Sequence, residues 1–290
     1  MRFVIRGTVQ GVGFRPTVYR VAKAMGLRGT VRNDGASVII DTDGDASFLD
    51  RLRAELPALA IIESAECIDY RLPDSVKGFS IIQSGNSGHG VGIPTDTAIC
   101  DKCLKEMRGT GRRSGYPFTT CTECGARFTL MESNPYDRER TSMREYPMCP
   151  ECGSEYSDPM DRRFHHQTVC CPVCGPSYRL IDRNGDPIPG DPIRTFAKMV
   201  DEGRFGIAKS WGGMHICASI DHVQELREWY GREQKPFAIM VRDVGTVMKY
   251  SDPTESELKE MTSPHRPIVL VRKKDTVPGS VSLGLDTVGM

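Results

Sequence analysis

The sequence predicts a multidomain α+β chain, with a ferredoxin-like unit first, a cysteine-rich region in the middle and a partial α/β domain at the end. Three observations support this prediction. Residues 1–83 alternate between strand and helix patterns in the order β-α-β-β-α-β, which is typical of the split βαβ, ferredoxin-like plan. Four Cys-x-x-Cys pairs follow, and helices then alternate with strands up to Met290.

The elements of the first unit follow from the spacing of its apolar residues. Phe3 to Val9 is rich in β-forming residues and precedes a glycine-rich loop. Apolar residues at helical spacing then predict two helices, one through Val18, Val21, Ala22 and Met25 and one through Phe48, Leu49, Leu52 and Leu56. Further strands are predicted at Leu27 to Val31, Ser37 to Asp41, Ile61 to Tyr70 and Phe79 to Gln83.

Length and charge limit the classes of protein that fit. The chain has 290 residues and equal numbers of basic and acidic side chains, 38 of each. Its 39% hydrophobic and 26% charged residues are typical of globular proteins and exclude wholesale disorder. No apolar run approaches the roughly 18 residues of a membrane span, and the N-terminus lacks the hydrophobic stretch of a secretory signal. The zero net charge argues against a dedicated nucleic-acid binder.

The cysteines are concentrated in one part of the chain. Nine of the eleven lie between Cys100 and Cys174, and eight of these form four pairs. The pairs are Cys100/Cys103, Cys121/Cys124, Cys149/Cys152 and Cys171/Cys174. Paired spacing without a signal peptide favours metal binding over disulfides and indicates a reducing, cytoplasmic location.

Eight thiolates provide two tetrahedral four-cysteine zinc sites, which are structural because no coordination position stays open. The motif around Cys121 repeats about 50 residues later around Cys171, which favours sequential pairing, although interleaved pairing remains open. A glycine after the second cysteine of three pairs (Gly125, Gly153, Gly175) is typical of a zinc knuckle. We interpret Cys170 as a spare thiol and His165 and His166 as non-ligands. The alternative for the array is redox-active pairs or disulfides.

Two polar stretches separate three predicted domains. Residues 84–90 are a flexible linker by composition, and residues 184–190 are rich in proline and glycine. The domains are 1–84, a tandem four-cysteine zinc-finger domain at 95–182, and 190–290. The last has predicted helices at Pro192 to Glu202 and Val223 to Tyr230, and strands at Phe205 to Lys209 and Ile268 to Arg272. Because a complete α/β domain usually exceeds about 100 residues, we expect the chain to stop within this domain.

The loop after the first strand has the composition of an anion site. Gln10-Gly11-Val12-Gly13-Phe14-Arg15 precedes a helix, and Pro16 suits its first position. Glycine backbone N–H groups, a helix N-terminus and a guanidinium together favour phosphate. The alternative is a tight turn with a solvated arginine.

The residues from Val4 to Arg15 resemble the acylphosphatase signature, and Gly29-Thr30-Val31-Arg32-Asn33 resembles the second motif of that family. The resemblance implies that Arg15 holds the phosphate and Asn33 orients the attacking water. Two residues depart from the family pattern: Thr30 replaces an aromatic residue and Ser37 a glycine. Asn33-Asp34-Gly35 is also compatible with a plain hairpin turn.

The combination of this loop with the cysteine array resembles the N-terminal part of the HypF carbamoyltransferases, which mature [NiFe]-hydrogenases. The second finger fits the family's cysteine spacing, and the first is one residue shorter. The stretch from Gly206 to His215 resembles the start of a YrdC-like domain, and Lys235-Pro236 its basic motif. Cys217-Ala218-Ser219 departs from the family. The resemblance implies nucleotide-binding roles for Lys209, Gly212, Gly213, His215, Arg232 and Lys235, whereas the plain alternative is a set of surface residues.

The resemblance implies a reaction sequence. Carbamoyl phosphate is hydrolysed at the Arg15/Asn33 site, ATP with magnesium activates the carbamate as carbamoyl adenylate, and a further domain passes it to the C-terminal cysteine of HypE for cyanide ligand synthesis. From this chain we expect the first step but no ATP–pyrophosphate exchange. The alternative function is a protein- or RNA-binding zinc-finger module with a silent acylphosphatase-like domain. Acidic residues interleave with Arg112-Arg113 and Arg162-Arg163, which argues against RNA.

Overall fold

The chain forms two compact units. The computed structural model describes residues 1–85 and 94–290, which divide into Met1–Pro176 and Ser177–Met290. The first unit contains the predicted ferredoxin-like sheet and the four cysteine pairs. The second contains the predicted third region.

A five-stranded sheet with two helices opens the first unit. Its elements are β1 (Arg2–Thr8), α1 (Phe14–Ala24), β2 (Gly29–Asp34), β3 (Ser37–Thr42), α2 (Ala46–Ala54), β4 (Ile61–Ile68) and β5 (Phe79–Ile81). The strand order is β4-β1-β3-β2-β5, with β5 parallel to β2 and the other pairs antiparallel. The predicted ferredoxin-like fold is confirmed, with β5 as a short strand at one edge.

The core of this sheet fixes the position of the loop between β1 and α1. Phe3 and Ile5 of β1 are fully buried, as are Val18 and Val21 of α1. Each such side chain stabilises the fold by about 1.5–3 kcal/mol relative to solvent exposure. The end of β1 and the start of α1 are therefore held firmly, and the loop between them is short.

Two local predictions were wrong, and both changes affect the candidate site. Helix α1 begins at Phe14 rather than at Pro16. Proline is tolerated there because the first-turn N–H groups have no partner inside the helix. Asn33 lies on β2, paired with Val38, and the hairpin turn is formed by residues 35–36. Its side chain is fully buried instead of lying in an exposed turn.

The sheet edge continues past β5 into the start of the predicted 84–90 linker, of which residues 86–90 lie outside the described residues. The Gly85 N–H donates to the carbonyl oxygen of Asn33 at 2.9 Å, and Gly85 forms an isolated bridge with Asp34. Ser84 and Gly85 are therefore part of the folded sheet edge.

The remaining elements are short. The cysteine region contains α3 (Asp101–Arg108), α4 (Pro150–Ser157) and 3-10 turns. The second unit contains α5 (Pro192–Asp201), β6 (Gly206–Lys209), β7 (Met214–Cys217), α6 (Val223–Tyr230), α7 (Val244–Tyr250), α8 (Glu255–Met261), β8 (Leu270–Arg272), α9 (Gly279–Ser282) and β9 (Thr287–Gly289). Strand β6 pairs with β7 and β8 with β9, and Gly289 of β9 also forms an isolated bridge with Ala238. Val247, Val271 and Val281 belong to the buried core of this unit.

Candidate anion site and metal centres

The loop between β1 and α1 presents an uncapped helix N-terminus. Gly11 and Gly13 have left-handed backbones, with φ of 68° and 79°. Gly13 is the N-cap of α1, and no side chain accepts a hydrogen bond from the first turn there. The positive end of the helix is therefore available to an anion.

Several side chains of the loop hold it in place, and the loop borders a cavity. Gln10 donates through Nε2 to the carbonyl oxygen of Gly35 at 2.8 Å, and Val12 and Phe14 are buried in the core. The loop side of the cavity is formed by Val9, Gly11, Gly13, Phe14, Arg15 and Pro16. Four of the six residues predicted to bind phosphate, Gln10 to Arg15, therefore border this cavity.

The Arg15 guanidinium borders this cavity and has a carboxylate partner. Its Nη2 lies 3.2 Å from Oδ1 of Asp137, and its Nη1 lies 3.5 Å from Oγ of Ser84. The side chain is 10% exposed, so the charge is largely shielded from water. A guanidinium in this position can bind an oxyanion through two parallel N–H donors.

The Asn33 side chain is buried and makes no hydrogen bond with any described residue. Leaving buried polar atoms unpaired costs about 1–3 kcal/mol, which favours a role in binding a ligand or water. The backbone of Asn33 contacts Gly85, while Arg15 contacts the adjacent Ser84. The structure therefore brings both predicted residues to the same end of the sheet.

The other side of the cavity comes from the cysteine region, through Thr122, Tyr136, His165, His166 and Gln167. Burial, together with the charge of Arg15, lowers the pKa of His165 to about 4, so this imidazole is neutral at neutral pH. Nothing in the local sequence indicates that these residues meet the loop. Residue spacing along the chain could not place His165 and Gln167 beside the loop.

The eight paired cysteines form two clusters from consecutive pairs, as the repeat predicts. Cys100, Cys103, Cys121 and Cys124 form one, and Cys149, Cys152, Cys171 and Cys174 the other, with all sulfur atoms of a cluster within 4.8 Å. Neighbouring Sγ atoms are 3.6–3.8 Å apart. Tetrahedral zinc with Zn–S bonds of about 2.3 Å requires this spacing. All eleven cysteines are free thiols, so the disulfide alternative is not supported.

Each cluster combines a helix start with a tight turn. Cys100 and Cys149 are the N-caps of α3 and α4, where the helix dipole favours thiolates. The prediction of a knuckle at Gly153 was wrong, because Gly153 lies inside α4. Cys170 lies outside both clusters and donates to the carbonyl oxygen of Phe118, while burial raises the pKa of its thiol to about 11. His165 and His166 are likewise outside the clusters, as predicted.

Two pairs of consecutive arginines, Arg112-Arg113 and Arg162-Arg163, each contact residues of the other finger. Arg113 donates to both carboxylate oxygens of Glu155 and to Sγ of Cys152 in the second finger. In the opposite direction, Arg163 and Arg162 donate to Glu106, and Arg162 also donates to Sγ of Cys103 at 2.9 Å. These arginines offset the net negative charge of a zinc tetrathiolate. Their charges are also paired with Glu106 and Glu155 within the finger region.

We expect the purified chain to contain two zinc ions, which elemental analysis would measure. Chelation should open residues 95–176 to protease while residues 1–83 resist, because the apolar sheet core contains no metal ligand, whereas the fingers are built around the cysteine clusters. Equal resistance of both segments after chelation would contradict a structural role for the metal.

The predicted nucleotide residues lie in two parts of the second unit. Lys209 ends β6, Gly212 and Gly213 form the turn, and His215 lies on β7, with Lys209 and His215 exposed. Arg232 lies over the ring of Phe237 and donates to the carbonyl oxygen of Pro236, next to exposed Lys235.

Comparison with known families agrees with this arrangement. Residues 1–81 match the acylphosphatase family, residues 99–131 and 148–181 match the HypF finger, and residues 198–290 match the telomere recombination (Sua5/YciO/YrdC) family. The acylphosphatase of Caldivirga maquilingensis is 40% identical over 28% of this chain and 90% of its own length. The first unit therefore combines an acylphosphatase-type domain with two HypF fingers.

Matches along the whole chain identify its family. Carbamoyltransferase HypF of Rhodobacter capsulatus is 41% identical over 100% of this chain and 39% of its own length. The structure of a full-length HypF in a phosphate- and nucleotide-bound form superposes with a TM-score of 0.92 at 37% identity, covering 99% of this chain and 39% of that one. The chain belongs to the HypF family and spans about two fifths of the length of the curated HypF relatives it matches. Among the described residues, no helix is long and apolar enough to cross a membrane.

Proposed function

We propose that the first unit hydrolyses carbamoyl phosphate. The observation that carries the proposal is the placement of three groups at one end of the sheet. The uncapped N-terminus of α1 and the shielded Arg15 guanidinium border the cavity, and the unpartnered amide of Asn33 lies on β2, outside the cavity lining. The loop N–H groups and Arg15 bind the phosphoryl oxygens. Asn33 orients the water, since an amide cannot remove a proton as a base, and catalysis relies on positioning and charge stabilisation.

The later steps are proposed for the longer proteins of the family. Carbamate is activated by ATP and magnesium as carbamoyl adenylate, and the carbamoyl group is transferred to the C-terminal cysteine of a HypE-type acceptor in the cytoplasm. Lys209, Arg232 and Lys235 suit polyphosphate as point charges and donors. The structural zinc ions have no open position and take no part in this chemistry.

The direct test measures phosphate release from carbamoyl phosphate and from acetyl phosphate by the purified 290-residue chain, without ATP. Release that saturates with substrate and is inhibited competitively by inorganic phosphate is the expected result. A chain that binds two zinc ions but neither releases nor binds phosphate would favour the zinc-finger binding module with a silent acylphosphatase-like domain.

A further inference from the structure

One buried arginine connects the first finger to the phosphate loop. Arg127 donates through Nε to the carbonyl oxygen of Gly11 at 2.6 Å. Its other nitrogens donate to carbonyl oxygens of the knuckle, at 2.7 Å for Cys124 and Cys121 and 3.1 Å for Ala126. The residue is 2% exposed. A single rigid guanidinium therefore joins the cysteine turn to a loop more than 100 residues earlier in the chain.

The acceptors of this guanidinium are all backbone oxygens. Among the described residues, no carboxylate forms an ion pair with Arg127, although Asp96 accepts from its backbone N–H at 2.6 Å. Burying a charge without a carboxylate partner is costly, so the carbonyl dipoles and the negative charge of the adjacent thiolate cluster must compensate for it. The remaining positive charge lies against the loop, where it favours a bound anion.

The knuckle itself does not require this arginine. The second finger contains the same turn, Cys171 to Gly175, but the residue that corresponds to Arg127 is Ser177. Its four cysteines nevertheless form a cluster of the same dimensions. The role of Arg127 is therefore specific to the first finger, whose knuckle it joins to Gly11 of the loop.

The contact with Gly11 constrains the loop backbone. A trans peptide is planar, so fixing the Gly11 carbonyl oxygen also fixes the Val12 N–H, which points to the opposite side. Gly11 is tightly enclosed: a Cβ there would lie 2.6 Å from Cβ of Pro94 and 3.3 Å from Cδ of Arg127. Asp137, also from the cysteine region, holds the Arg15 guanidinium. The finger thus contacts both the backbone and the arginine of the anion site.

We propose that Arg127 is a positioning residue for the acyl phosphate site, through which the metal-organised first knuckle holds the phosphate loop in its anion-binding geometry. Metal occupancy of the first cluster and phosphate affinity of the loop are then coupled. The proposal rests on the proposed function, since it assigns phosphate to this loop.

The test is Arg127→Ser in the full chain, which installs the residue of the second knuckle. We expect two zinc ions per chain to remain and the dissociation constant of inorganic phosphate to rise about tenfold, as for the loss of a charged hydrogen bond. The KM for carbamoyl phosphate should rise by a similar factor while kcat changes much less, because Arg127 does not touch the reacting atoms. Arg144→Ser is the control: it removes the same charge from the same region, where Arg144 pairs with Glu132 at the surface.

Two results would overturn the proposal: retained zinc with unchanged phosphate affinity, or loss of zinc from the variant, which would make Arg127 a finger-folding residue. A measurement on the unmodified chain does not depend on the variant. Chelation of the metal should raise the dissociation constant of inorganic phosphate by about tenfold. An unchanged dissociation constant in the metal-free chain would also reject the coupling. If the unmodified, zinc-loaded chain does not bind phosphate at all, the proposed function fails instead.

Discussion

Arg15→Ala is expected to raise the inhibition constant of inorganic phosphate about a hundredfold, because it removes a charge-assisted, bidentate contact in a shielded site. The KM for carbamoyl phosphate should rise with it. The two quantities can be compared in one set of steady-state measurements with phosphate as inhibitor. Asp137 loses its partner in this variant and adds an unpaired carboxylate beside the loop, so the effect should exceed that of a surface arginine.

Asn33→Ala separates water positioning from phosphate binding. We expect kcat to fall by about two orders of magnitude, with a phosphate inhibition constant close to that of the unmodified chain. The amide is buried without a described partner, so its removal should leave the free energy of unfolding unchanged or raise it by about 1 kcal/mol. Loss of activity without loss of stability indicates a functional residue. If both variants weakened phosphate equally, this division of roles would be wrong.

The second large effect is expected at Arg113, whose side chain is 1% exposed and lies between the fingers. Arg113→Met should lower the free energy of unfolding of the first unit by about 1.5–3 kcal/mol. Glu155 loses a buried partner that bonds both of its carboxylate oxygens, and the carbonyl oxygen of Cys170 loses its buried donor, although Arg163 still pairs with Glu106 and Glu155. Both zinc ions should then be lost to chelator faster, because Arg113 lies in the first finger and contacts Cys152 of the second. Chemical denaturation and a chromogenic chelator would measure these effects.

Arg112→Met is the matched control. Arg112 contacts the same Glu155 and Cys152, but its side chain is 30% exposed, so the expected loss is below about 1 kcal/mol. If both variants lowered the free energy of unfolding equally, burial of the arginine would not determine how much its ion pair with Glu155 stabilises the fold. Faster release of one zinc ion alone from the Arg113 variant would contradict the coupling between fingers.

Much of the fold and of the metal sites is encoded locally and could be predicted. Strand and helix periods, and two residues between cysteines, are properties of a few neighbouring residues, so β1, α6 and the two clusters follow from short windows. The motifs that contain Arg15 and Asn33 are also contiguous. The start of α1 and the turn after Asn33 were misplaced because proline and Asn-Asp-Gly are compatible with more than one local structure.

The tertiary structure alone decided which distant residues complete the sites. Asp137 lies 122 positions from Arg15, Arg127 lies 116 positions from Gly11, and Arg113 reaches Glu155 across the fingers. These contacts depend on how the chain closes long loops around the sheet and the cysteine clusters, and no residue spacing records that closure. By itself the sequence determined the elements of the first sheet, the cysteine pairs and the place of the glycine-rich loop. Folding decided that the fingers border that loop, because packing places buried guanidinium groups where carbonyl and carboxylate oxygens from distant segments converge.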